Sequence, residues 1–225
     1  MKPIFVTGTD TGAGKTVVCG LLARFLKEKG FNVVIQKWIE TGDSDSDIEQ
    51  HRILSNIEHF QYAKHILPYK FKYPSSPHLA SAMEKRRVRK EKIKKSFLFL
   101  QAEFDVVIVE GTGGALVPFN RKELVIDIAR ELGLSSLIVA KNKLGTINHT
   151  LLTLEALRTR NMEVLGIVFN DGEKESAILA DNPRIIKALS KIRVFGRMPY
   201  LKDPDKLYES FKPIGSKIWS LLRKT

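Results

Sequence analysis

Pro3-Ile-Phe-Val-Thr-Gly8-Thr-Asp-Thr-Gly-Ala-Gly-Lys-Thr16 is the stretch on which the architecture turns. Its first six residues read as a short buried strand. Residues 16–29 then carry Val17, Val18, Leu21, Leu22, Phe25 and Leu26 on one helical face, with Gly30 as the stop. A glycine-rich turn between a strand and a helix directs backbone N–H groups at phosphate oxygens, and the helix N-terminus adds its dipole. In such a turn Lys15 reaches the β- and γ-phosphates and the Thr16 hydroxyl suits Mg²⁺. The spelling departs from the strict G-x4-G-K-[ST] pattern at one position: Thr9 stands where a glycine is required, and Gly8 lies one residue further back.

Outward from this unit, apolar runs alternate with amphipathic stretches. Asn32–Gln36, Phe104–Glu110, Ser136–Ala140, Glu163–Asn170 and Val194–Gly196 read as strands. Helices are expected near 46–56, 77–84, 89–102, 124–132 and 146–160, within 173–190 with a disturbance at Pro183, and over most of the C-terminal segment after the last strand, with a break near Pro213. Residues 38–47 read as a polar loop. This alternation predicts an α/β fold of three layers, P-loop NTPase-like, with a mostly parallel sheet and helices on both faces. With no repeat, low-complexity tract or linker, residues 1–225 are expected to form a single domain.

Of 225 residues, 43% are apolar and 28% charged, which excludes a membrane-embedded or largely disordered chain. No run approaches the ~18 apolar residues that span a bilayer, and the N-terminus does not read as a signal peptide. The expectation is a cytoplasmic protein that binds neither membrane nor nucleic acid. Cys19 is the single cysteine, so no intramolecular disulfide forms. The net charge of +12 invites a nucleic-acid reading, most of all at the basic stretch 84–95. Without aromatic interleaving or zinc-finger spacing, that stretch reads instead as a solvated face with Val88, Ile93 and Phe97 turned inward.

A phosphate loop also needs a carboxylate for its metal, at the end of a neighbouring buried strand. Glu110 ends the clearest strand. Gly111-Thr112-Gly113-Gly114 follows, and glycines there let backbone and phosphates approach closely.

Five blocks occur in order: Val6-Thr-Gly-Thr-Asp-Thr-Gly-Ala-Gly-Lys-Thr16, Lys37-Trp-Ile-Glu-Thr-Gly42, Pro74-Ser-Ser-Pro-His78, Val109-Glu-Gly-Thr-Gly-Gly-Ala-Leu-Val-Pro118 and Leu144-Gly-Thr-Ile-Asn-His149. Together they resemble the dethiobiotin synthetase family, over roughly residues 4–201. The resemblance implies an ATP-dependent cyclo-ligase of biotin biosynthesis that works with Mg²⁺ on 7,8-diaminononanoate and CO2. One amine takes up CO2 as a carbamate, and a carbamate oxygen attacks the γ-phosphate. The second amine then closes the cyclic urea and expels phosphate. Two anions must meet, so cations have to offset the charge.

The resemblance assigns Lys37 to the carbamate and γ-phosphate beside Lys15. It gives Gly12, Ala13, Gly14, Thr16 and Val17 to the nucleotide, with Gly111, Thr112 and Gly113 lining the phosphates. Asp47 joins Thr16 and Glu110 at the metal, with Asp43 and Asp45 as competitors, or all three as a helix N-cap cluster. Thr11 and Thr41 are implied to contact the substrate. Gly145, Thr146, Ile147 and Asn148 open a helix that, in the family, receives the substrate carboxylate from the partner of a homodimer. The same residues also read as a simple cap on Thr146 or Asn148. Asn170 and Asp171, with Pro199, Tyr200 and Leu201, are implied at the base, although Asn-Asp-Gly after a strand is also an ordinary turn. Pro77-His78 reads as structural.

Two departures stand out. Trp38 replaces the proline common in relatives, which suggests a different local loop, and Gly12 replaces a residue acidic in some of them. Two other readings compete. An amidating synthase usually carries a glutaminase domain, and Cys19 lies in a helix rather than at an exposed elbow. A partition-type switch ATPase normally has a second lysine early in the loop, where this chain has Asp10.

Overall fold

The computed structural model describes residues 1–42, 46–172 and 177–223. In chain order the elements are β1 (Ile4–Gly8), α1 (Lys15–Glu28), β2 (Val33–Lys37), β3 (Ile39–Thr41), α2 (Asp47–Ser55), α3 (Ala63–Ile66), β4 (Tyr69–Phe71), α4 (Pro77–Met83) and α5 (Lys90–Glu103). They continue with β5 (Val106–Gly114), α6 (Val125–Glu131), β6 (Ser135–Asn142), α7 (Thr146–Arg158), β7 (Val164–Asp171), α8 (Ala177–Ser190), β8 (Val194–Met198) and α9 (Pro204–Leu222). Six strands form one sheet in the order β2-β5-β1-β6-β7-β8, and every pairing within it is parallel. The expected three-layer α/β fold is the one found.

Strand side chains alternate between the two faces, and this divides the core. Phe5, Val34, Val107 and Val109 face one apolar cluster, covered by α5, α6 and α7. Ile4, Val6, Ile35 and Ile108 face the other, covered by α1 and α9. The C-terminal segment, motif-free in sequence, therefore seals one face. Gly215 of α9 abuts Phe25 of α1 so closely that an added methyl would lie 2.8 Å from the ring. Tyr208 is buried against Arg24, whose guanidinium carbon is 4.1 Å from the ring centroid.

Three local expectations are corrected. Residues 38–47 are not all loop: β3 pairs in parallel with β4 as a separate two-stranded sheet. Trp38, in the bend between β2 and β3, is not a solvent-facing loop residue either. It is fully buried, stacks on Phe5 at 5.7 Å, and donates its Nε1–H to Gln36 Oε1 at 2.8 Å. Neither proline breaks its helix. Pro213 faces solvent, where its missing N–H costs little. Pro183 removes the bond to the Leu179 carbonyl four residues back, and the Asn142 side chain donates to that oxygen at 2.9 Å.

Four of the eight cations in the basic stretch 84–95 are spent within the fold. Arg86 donates to the Lys70 carbonyl and Lys92 to the Pro68 carbonyl, both at 2.8 Å. Lys90 pairs with Glu123 and Glu131, and Lys94 with Glu131. Val88, Ile93 and Phe97 are buried, as the solvated-face reading requires.

Candidate active site at the carboxyl ends of the central strands

The turn after β1 is shaped by Gly14, whose left-handed φ of 96° precedes the first residue of α1. It is also closely covered: Asn170 at the end of β7 donates its side-chain N–H to the Ala13 carbonyl at 3.1 Å. A methyl at Gly14 would lie 2.3 Å from that same nitrogen. Lys15 is buried and folds back over Gly8, with its Nζ 3.2 Å from where a Gly8 methyl would sit. Burial, then the nearby Lys37 ammonium, lower the Lys15 pKa. Thr11 donates its amide to Asp10 Oδ1 at 2.7 Å, and its hydroxyl lies beside Gly113. Gly12 leaves open space around its α-carbon, and Val17 packs on the α1 core.

Four polar side chains converge beside this turn. Thr16 Oγ1 lies 2.9 Å from Asp47 Oδ1 and 3.1 Å from Glu110 Oε1. A single hydroxyl proton cannot serve both carboxylates, so the three oxygens carry an excess of acceptors at one point. An all-oxygen donor set of this kind fits a hard cation such as Mg²⁺. Lys37 Nζ lies 2.6 Å from Glu110 Oε1, 2.8 Å from Asp47 Oδ2 and 3.1 Å from the Gly111 carbonyl. All three ammonium protons are therefore matched to protein acceptors.

The chemistry of these groups follows from burial opposed by pairing. Burial alone would raise the Glu110 carboxyl, but the Lys37 ammonium and the His51 hydrogen bond hold it well below the usual carboxylate range. Burial alone would lower Lys37, but Glu110 and Asp47 raise it above the ordinary lysine value. Lys37 is thus a fixed cation and not a base. The depressed Glu110 contributes stability that is complete above its ordinary value of 4.5 and is lost as pH falls below it. The raised Lys37 contributes stability that is complete below 10.5 and is lost as pH rises above it. Thermal melts should consequently show no titration of this pair between about pH 5 and 10, and a falling Tm on either side.

Other sequence-selected residues lie around this junction. Thr112 donates its hydroxyl to the Ile39 carbonyl at 2.6 Å, tying β5 to β3. β5 runs on through Gly114, so Glu110 lies within the strand rather than at its end. Thr41 closes β3 and is half-buried. Asp43 and Asp45 lie outside the described residues. At the start of α7, Gly145 has a φ of 90°, Thr146 is buried, and its amide donates to the Lys143 carbonyl. Neither Thr146 nor Asn148 caps the helix with its side chain: the N-cap is Gly145. Pro199, Tyr200 and Leu201 are exposed after β8. Asp171 is not free: Oδ1 accepts from Asn142 at 2.6 Å and Oδ2 from Arg197 at 2.8 Å.

Two residues at the junction escaped the sequence reading of the site. His51 Nε2 lies 2.6 Å from Glu110 Oε2, both groups being buried. The signal was its position four residues after Asp47, on the same face of α2. Cys19, noted only as the lone cysteine, offers a sulfur that lies within 4.8 Å of donor atoms of both His51 and Glu110. Burial and the Glu110 charge push its thiol pKa well up, so it is not a nucleophile.

A glycine turn opening a helix at the carboxyl ends of parallel strands, flanked by a hydroxyl, two carboxylates and two lysines, defines a P-loop ATPase fold. Solved structures agree: MinD of Pyrococcus furiosus superposes with a TM-score of 0.61 over 98% of this chain and 100% of its own, at 16% identity. pNOB8 ParA bound to nonspecific DNA gives 0.62 over 99% of both chains, at 12% identity. At such identities the likeness is one of fold. The family model described as AAA domain matches residues 2–206. The ATP-dependent dethiobiotin synthetase BioD of Chlorobaculum tepidum is 41% identical over 202 residues, covering 87% of this chain and 84% of that protein. BioD of Thermodesulfovibrio yellowstonii is 37% identical, covering 90% of each. BioD 2 of Haemophilus influenzae is 38% identical, covering 82% of this chain and 99% of its own. The chain belongs to the ATP-dependent dethiobiotin synthetase family.

Proposed function

We propose that this protein closes 7,8-diaminononanoate and CO2 into dethiobiotin at the expense of ATP. The observation that carries the reading is the meeting of Lys37, Asp47, Glu110 and Thr16 beside the phosphate turn, in a chain of this family. The turn amides and Lys15 hold the triphosphate. Thr16, Asp47 and Glu110 hold Mg²⁺, which when bound supplies charge neutralisation at the phosphates. Lys37, permanently charged, offsets the repulsion between the carbamate and the γ-phosphate. Because its protons are matched to Glu110, Asp47 and Gly111, delivery to the carbamate requires exchange of at least one of those contacts. The carbamate oxygen attacks the γ-phosphorus and ADP leaves. The second amine attacks the carbamoyl carbon, giving the cyclic urea and phosphate. Thr11 and Thr41 border the diamine, and Asn170 and Asp171 lie toward the base with Pro199, Tyr200 and Leu201. A cytoplasmic location and one domain over 1–225 complete the reading.

The test is mass spectrometry of the product from MgATP, bicarbonate and the diamine. The cyclic urea is expected only when all three are present, and ATP loss stimulated by DNA instead would favour the partition-type reading.

The Ile147 and Asn148 amides in the first turn of α7, together with the helix dipole, suit a carboxylate tail, the Thr146 amide being spent on the Lys143 carbonyl. Leu144 beside them is 82% exposed, an apolar side chain that a second copy would cover. A site shared across a homodimer is part of this reading. Specific activity is expected to fall as the enzyme is diluted through its dimer dissociation range, followed by sedimentation. Full activity in a demonstrated monomer contradicts the shared site.

A further inference from the structure

His51 touches the proposed metal carboxylate from the side opposite Lys37. Oε1 of Glu110 takes Lys37 at 2.6 Å and faces Thr16 Oγ1 at 3.1 Å, while Oε2 takes His51 Nε2 at 2.6 Å. The last torsion of a glutamate is broad, so a carboxylate held through one oxygen can still turn its plane. Held through both, it cannot. The ionised carboxylate only accepts, so Nε2 carries a ring proton. Nδ1 is buried and has no hydrogen-bond partner among the described residues. An orphaned buried nitrogen disfavours the folded state, and an apolar residue would fill the same place without it. The bond to Glu110 is the one contribution of the imidazole that such a residue would not supply.

We propose that His51 is a positioning residue for the cation: by fixing Glu110 Oε2 it presents Oε1 to Thr16 Oγ1 and Asp47 Oδ1 as one ligand set. Asp47 and His51 lie one turn apart on α2. That helix therefore supplies both a ligand and the group that orients its partner ligand across the junction. The proposal rests on the metal assignment of the dethiobiotin synthetase reading but not on the identity of the reaction.

The probe is Mn²⁺, titrated into the enzyme with ADP and followed by electron paramagnetic resonance. His51→Leu is expected to weaken Mn²⁺ binding by about tenfold or more, the usual size of losing a group that orients a metal ligand. ADP affinity in metal-free buffer should stay unchanged. His51→Gln keeps an N–H donor of similar reach and is expected to restore most of the Mn²⁺ affinity. In turnover, the half-saturating Mg²⁺ rises in His51→Leu while the KM for the diamine does not move. Should the leucine variant fail to fold, His51→Met takes its place in the same comparison. Wild-type Mn²⁺ affinity in a folded apolar variant overturns the proposal. If the wild type binds Mn²⁺ with ADP yet forms no cyclic urea, the reaction assignment fails while the Mn²⁺ comparison still decides the role of His51.

Discussion

Lys37→Gln should lower kcat by about 10³ while ADP binding changes little, the scale seen when one preorganised charge stabiliser is removed. Nucleotide contacts and the Lys37 contacts are separable in this fold. In the proposed reading the phosphates meet the turn amides, Lys15 and Thr16, around the start of α1. Lys37 comes from the end of β2 and is only 3% exposed, held by two carboxylates that keep it protonated. Glutamine preserves the reach of the side chain and some hydrogen bonding but removes the charge. Single-turnover formation of the cyclic urea, set beside calorimetric titration with ADP, reads the two effects apart. A variant that turns over within about tenfold of wild type would show that Lys37 does not offset the charge in the transition state.

The second large effect concerns stability. Lys37→Met removes the principal cation from Glu110, which is 1% exposed. Stranding one partner of a buried pair typically costs about 3–5 kcal/mol. For a chain of this size that lowers Tm by roughly 6–20 °C. Replacing both partners, as Lys37→Met with Glu110→Leu, removes the buried charge together with its desolvation penalty and should return at least half of the lost Tm. Asp47 remains, but its side chain is 27% exposed and water can solvate it. Both variants should be inactive, so the pair dissociates stability from catalysis. Differential scanning calorimetry of wild type, single and double variants checks this. A single variant that melts with wild type would mean that Glu110 is not left uncompensated.

Much of the site was legible because phosphate binding is encoded locally. A strand, a glycine turn and Lys15-Thr16 are contiguous, and their chemistry needs no distant partner. Glu110 was legible for a similar reason: an unbroken apolar run that ends on a carboxylate leaves few places for that charge. His51 was not legible. A histidine outside any motif is ordinary, and only the tertiary contact gives meaning to its spacing from Asp47. Asp171 shows the converse. Its place at the end of a strand is that of a ligand contact, yet Asn142 and Arg197 bond to both its oxygens. β3 was missed because three residues carry too little periodicity to register, and because the β4 residues it pairs with are 30 positions further along. Pro183 reads as a break until Asn142, on another strand, is seen to satisfy the carbonyl that the proline abandons.

The sequence by itself determined the alternation of strands and helices, the phosphate turn and the family, since each rests on neighbours in the chain or on side-chain period. Only the tertiary structure decided which side chains touch at the candidate site. β2 and β5 pair in the sheet, with Lys37 opposite Glu110 in register, although the two are 73 residues apart. Strand order is set by how the whole sheet buries its two faces, and no local pattern records it.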